Sequence, residues 1–189
     1  VSRGAGENLR SLGYEGDYIV MENGVDVPRG RVSDEAIAAA AGGYDLPQNV
    51  PVFLFVGRLM WYKGIRIILD ALKTLREKNV DFRMVFVGEG ADGTEIRSYA
   101  EELKLSDRCF FTGAISDREV IRAWYSRVDL FLFPSTFDTN GLVVREAAAS
   151  GTATVMIRNS CAAEGVSGGQ NGFLIDENAE SLAAMLLRL

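Results

Sequence analysis

The chain has 189 residues, 48% of them hydrophobic, with 20 basic against 26 acidic side chains and a net charge of −6. That length and apolar content suit one core burying roughly 70% of the surface an unfolded chain exposes, and the acidic balance argues against a nucleic-acid footprint or a polybasic membrane patch. Histidine is absent, which removes the commonest general base and metal ligand, and neither an eighteen-residue apolar run nor a charged-then-apolar leader is visible, so neither a transmembrane helix nor a secretory signal is predicted.

The first fifty residues differ in pattern from the rest. Residues 18–21 (YIVM) predict a short strand closed by an Asn23-Gly24 turn. Residues 25–31 carry proline and glycine like a connection between parts, and residues 33–41 predict an alanine-rich helix capped by Ser33. We assign residues 1–50 to an interdomain linker strand and helix, and 51–189 to the main domain.

From residue 51 onward, apolar runs of strand length alternate with segments of helical period. Residues 51–56 (PVFLFV) form a continuous apolar run bounded by Pro51 and Gly57, as expected of a strand covered on both faces. Ile65, Ile68, Leu69, Leu72 and Leu75 then make one helical stripe within residues 64–78. A second strand is predicted at 82–87, ending at Gly88-Glu89-Gly90; without a third glycine in register this G-x-G is a plain turn. A helix at 94–104, a short strand at 108–111 and a helix at 116–126 follow, the last with Ser116 and Glu119 spaced as a capping box. Residues 129–133 predict a strand stopped by Pro134, residues 135–140 a loop, and residues 142–150 a helix entered through Gly141. Strands at 152–157 and 172–175 and a helix at 178–189 complete the chain. Strand-then-helix units in series predict an α/β fold, a Rossmann-like parallel sheet flanked by helices.

Two places offer chemistry. Asp138 and Glu146 stand eight apart, one on the loop and one on the helix face that also carries Leu142 and Ser150, so both can meet one ligand above the sheet. Free N–H groups at the start of that helix favour an anion. Arg58 follows the first strand and Lys63 precedes the first helix, projecting from the same sheet edge; together they suit a diphosphate, Arg58 as a fork and Lys63 as a point charge. Cys109, in an apolar run, and Cys161, in a loop, have no metal-ligand spacing and read as bystanders without a disulfide. No carboxylate cluster has metal spacing either, so no obligatory divalent metal or other cofactor is expected.

Taken in order, VGRLMWYKG, FVGEG, FTGAISDREV, VDLFLFPS, DTNGLVVREAAASGTATV and GGQNGFLI closely resemble the carboxyl-terminal, donor-binding domain of retaining GT-B glycosyltransferases of family 4 (group 1). The resemblance covers residues 18–189, and YIVMENGVDV resembles that family's interdomain segment. It implies one half of a GT-B fold, with an amino-terminal domain as missing partner and an NDP-sugar such as a UDP- or GDP-hexose as donor substrate. A cytoplasmic location follows for the whole, with any contact at the inner membrane face made through the missing half. The resemblance assigns Arg58 and Lys63 to the donor diphosphate, Glu146 to the ribose hydroxyls and Asp138 to the vicinity of the donor sugar, one methylene shorter than the usual glutamate. Asn140, Gly141 and Leu142 match the loop whose amides meet phosphate and sugar, and Ile115 and Asp117 match positions near the base. Two other readings stay open: half of a nucleotide-sugar 2-epimerase, and a non-catalytic flavodoxin-like binding or regulatory domain.

Overall fold

The structure is a computed structural model and describes every residue except Val1, Ser2, Glu22, Asn23, Val27, Arg29, Thr139 and Asn140. The predicted turn residue Asn23 and the predicted site residue Asn140 thus lie outside the described residues.

Six strands make one sheet in the order β3-β2-β1-β4-β5-β6, every pairing parallel. They are β1 (Val52–Val56), β2 (Arg83–Val87), β3 (Cys109–Gly113), β4 (Leu130–Phe133), β5 (Ala153–Ile157) and β6 (Phe173–Ile175). All five residues of β1 and all four of β4 are buried, as a central parallel strand covered by helices requires. Phe53 and Phe55 on β1 pack on Phe82 and Phe86, with ring centroids 6.4 and 6.0 Å apart. Each such side chain contributes about 1.5–3 kcal/mol by leaving water. Burial also pushes the Cys109 thiol up, so it is a neutral apolar filler on β3.

Helices α1 (Arg3–Ser11), α2 (Asp34–Ala41), α3 (Ile65–Glu77), α4 (Gly93–Glu102), α5 (Arg118–Arg127), α6 (Leu142–Ala149) and α7 (Ala179–Leu186) complete the architecture. The α3 stripe of Ile65, Ile68, Leu69, Leu72 and Leu75 is fully buried, and α7 packs beside α3. Although it belongs to the first fifty residues, α2 packs on α5, with Tyr44 edge-on to Trp124 at 5.4 Å.

The strand order determines where a ligand can sit. From β1 the chain lays down β2 and β3 on one side, then returns to place β4 on the other. The connections leaving β1 and β4 therefore diverge at their carboxyl ends and open a crevice between adjacent strands.

Several local expectations are corrected. Residues 18–21 form no strand: the segment is irregular, with Ile19 86% and Met21 71% exposed, and it pairs with no strand of the sheet, without which strand composition alone does not hold a strand. The polar, glycine-bearing α1 was not predicted. On α5 the cap is Asp117 rather than Ser116, its carboxylate accepting from the Glu119 N–H at 2.9 Å. Glu119 turns instead to Arg122 (2.8 Å), so no capping box forms. Ser33 caps α2 as predicted, accepting from the Ala36 N–H. Gly88 and Gly90 serve a close approach as well as a turn: a Cβ on Gly88 would lie 1.9 Å from the Gly57 carbonyl oxygen, and one on Gly90 2.3 Å from that of Leu59.

Candidate functional site

The loop after β1 passes through exposed Arg58, tightens into a 3-10 turn at Trp61–Lys63 and enters α3 through Gly64. Asp92 fixes the turn by accepting the Trp61 N–H at 2.8 Å. Gly64 has φ +76°, and a Cβ there would stand 1.9 Å from the Pro134 carbonyl oxygen. Only glycine allows this contact, which clasps the loop after β1 to the loop after β4.

The clasp brings Lys63 to Asp138. The Lys63 ammonium donates to one Asp138 carboxylate oxygen at 2.6 Å, and the Ser135 hydroxyl donates to the other. Lys63 is only 8% exposed and Ser135 fully buried. A cation so enclosed requires a counter-charge. The Tyr62 ring lies near two cations, its centroid 5.3 Å from the Lys63 Nζ and 5.9 Å from the Arg58 guanidinium carbon. Phe137, 74% exposed, meets Tyr62 edge-on at 5.8 Å.

On the β4 side, Gly141 (φ +51°) starts α6, and a Cβ there would crowd Ala162 and Val144 at 3.2 Å. The glycine-bearing loop after β5, which contains Ala162, therefore abuts the start of α6. Leu142 is exposed at this first turn. One turn on, the Glu146 carboxylate accepts from the buried Tyr125 hydroxyl at 3.4 Å. Burial, then the nearby Glu146 charge, push the Tyr125 phenol well above its ordinary range, so it stays a neutral donor. Glu146 also borders a small cavity of about 60 Å³ between α5 and α6, shared with Asp26, Pro28, Arg118 and Arg122.

The structure thus joins Arg58, Lys63 and Asp138 around the β1–β4 crevice, with Gly141 and Leu142 at the start of α6 and Glu146 farther along that helix. Ile115 is half-buried against the core and Asp117 is occupied as the cap of α5; neither has a described hydrogen bond to the Lys63–Asp138 pair or to Glu146. A larger cavity of about 500 Å³ lies on the other flank of α6, lined by Arg3, Arg145, Glu164 and Asn171 among others, and includes none of the predicted site residues. Among the described residues, no group of His, Cys, Asp and Glu comes together in a way that could hold a metal ion, and no helix is long and apolar enough to cross a membrane.

Sequence reading passed over Ser135, Tyr62 and Tyr125. Ser135 was signalled by its place at the strand end, three residues before Asp138, and Tyr62 by its adjacency to Lys63. The Tyr125 contact with Glu146 joins two helices and left no local signal.

With this geometry established, comparison with known proteins is informative. The family model for glycosyl transferases group 1 matches residues 40–189. The chain belongs to this family. It is 31% identical over 181 residues to D-inositol 3-phosphate glycosyltransferase 2 of Catenulispora acidiphila, covering 90% of this chain and 42% of that protein. The chain therefore spans about two fifths of the length of that group 1 relative. Its fold matches a glycosyltransferase crystal structure from Rickettsia africae at TM-score 0.81 and 23% identity, covering all of this chain and 51% of that one. Anabaena HepE in complex with UDP-glucose matches at TM-score 0.72 and 25% identity, covering 84% of this chain and 43% of that one. The sheet is thus a Rossmann-like layer of the kind found in GT-B glycosyltransferases.

Proposed function

We propose that this chain is the carboxyl-terminal, donor-binding half of a retaining glycosyltransferase that moves a hexose from an NDP-sugar to an acceptor held by an amino-terminal domain. The observation that carries the reading is the placement of Arg58 and the Lys63–Asp138 pair at the crevice where the strand order reverses. Lys63 gives one N–H to Asp138, leaving two for phosphate oxygens, and exposed Arg58 can fork onto two more. These fixed cations stabilise the charge that develops on the leaving diphosphate, a role that needs no divalent ion. Glu146 accepts from the ribose hydroxyls, the first turn of α6 at Gly141 and Leu142 meets phosphate and sugar, Asp138 lies toward the hexose, and Ile115 and Asp117 flank the base. The UDP-glucose complex of HepE supports a UDP-hexose as the first donor to test and a GDP-hexose as the second.

A missing partner domain is supported by the exposed apolar side chains of residues 9–21, among them Leu12 at 84%. Such a concentration marks a covered surface in a larger molecule. On this reading the whole protein works in the cytoplasm, and any contact with the inner membrane face is made through the partner domain.

Calorimetric titration of the chain with UDP, GDP and ADP tests the reading. Weak binding of one diphosphate, lost by about 10- to 150-fold in Arg58→Ala and in Lys63→Ala, is expected. Unchanged affinity in both variants would place the phosphate site elsewhere. Glycoside product from a longer protein that includes the partner domain separates transfer from 2-epimerisation and from a purely regulatory role.

A further inference from the structure

We infer that Ser135 is a positioning residue of this site, locking the Asp138 carboxylate so that Asp138 in turn aims the Lys63 ammonium across the crevice. The inference rests on the donor-site reading for its catalytic consequence, while the alignment itself stands on the contacts. Ser135 is fully buried just past β4, and its hydroxyl donates to one carboxylate oxygen while Lys63 donates to the other. A hydrogen bond to an ionised acceptor is about twice as strong as a neutral one.

Two degrees of freedom need restraint here. The terminal torsion of an aspartate is broad and roughly two-fold, so holding one oxygen also fixes where the other points. Lysine carries a compact charge on a flexible four-carbon stem that does not orient itself. The rings of Tyr62 and Phe133 stand 5.3 and 6.0 Å from the ammonium and enclose it without supplying a directional acceptor. Asp138 supplies the direction, and Ser135 supplies that of Asp138. Because Ser135 and Asp138 follow β4 while Lys63 follows β1, the relay crosses the crevice and sets its two walls in register. Gly64 against the Pro134 carbonyl fixes the backbone separation over which it reaches.

The test is a mutant cycle read in two ways. Ser135→Ala removes only the hydroxyl from a buried position. It should weaken UDP binding by about tenfold in the otherwise native chain and by less than about twofold where Asp138→Ala is already present, since coupled residues are not additive. The rate at which acetic anhydride modifies Lys63, followed by mass spectrometry, should rise several-fold in Ser135→Ala without added nucleotide. Equal loss of UDP binding in both backgrounds, or an unchanged Lys63 modification rate, overturns the inference. A native chain that binds no nucleoside diphosphate sinks the donor reading instead, and the modification rate still decides on Ser135.

Discussion

The crevice between β1 and β4 and the amino-terminal segment from Arg3 to Met21 each carry a positive-φ glycine and large apolar side chains, yet Gly64 in the first and Gly13 in the second have opposite surroundings. In the crevice, Gly64 touches the Pro134 carbonyl, Lys63 and Asp138 are paired, and Ser135 is fully buried. In the amino-terminal segment, Gly13 has no atom within 4 Å of where its Cβ would be, and Ile19, Met21 and Leu12 face outward. The contrast separates a glycine conformation held by a neighbour, at Gly64, from one set by the chain alone, at Gly13. Function belongs with the first kind, because a catalytic constellation needs supports that fix its rotamers.

The sharpest way to break the contrast is glycine substitution. Gly64→Ala adds a carbon against a backbone oxygen at an αL position, and should cost about 3–5 kcal/mol, read as a large fall in Tm. Gly13→Ala has φ +92° and open space, so it should cost only the αL penalty of about 1–2 kcal/mol. Equal costs would show that the crevice is no tighter than the amino-terminal segment.

Next in size, Lys63→Ala should lower stability by about 1–3 kcal/mol, because it strands the Asp138 carboxylate, whose side chain is only 20% exposed. Arg58→Ala, at an exposed position, should stay within about 0.5 kcal/mol of the native chain. Denaturant unfolding of the two variants compares buried and open cations on the same loop.

Smaller still, the double substitution Ile19→Ser with Met21→Ser should change the stability of this chain by less than about 0.5 kcal/mol, because both side chains are already in water. In a longer protein with the partner domain the same pair should cost more, and thermal melts of both lengths check this.

The smallest effect is alkaline. The folded-state pKa of Tyr125 lies above its unfolded value through burial and Glu146, and that of Tyr99 does so mainly through its hydrogen bond to Asp70. The stability these phenols contribute is whole below about pH 10 and is lost as pH rises from there through their folded pKa values. Tyr125→Phe should flatten the decline of Tm above about pH 10.

Much of the fold was legible because β1, β2 and β4 are local apolar runs closed by glycine or proline, as at residues 51–57 and 129–134. That Arg58, Lys63 and Asp138 converge at one sheet edge was legible for the same reason, since strand ends locate the carboxyl edge of such a sheet. Failures came where structure depends on a neighbour. YIVM has strand composition but pairs with no strand of the sheet, and the cap of α5 fell one residue later because the Asp117 carboxylate reaches the Glu119 N–H. Tyr125 acquires its role only when two helices distant in sequence meet, a property that no local window contains, whereas Ser135 and Tyr62 touch residues three and one positions away and were readable in principle.

The placement of the two tryptophans gives the molecule a built-in optical contrast. Trp61 lies in the 3-10 turn with Lys63, under the Arg66 guanidinium at 4.4 Å, whereas Trp124, on α5, is buried with Tyr44 edge-on against it. Indole emission follows local polarity and nearby charge, so the first ring reports on the turn that carries Lys63 and the second on the packing of α5. Replacing Trp124 with phenylalanine would leave Trp61 as the single indole, a label-free gauge of ligand arrival when indole alone is excited.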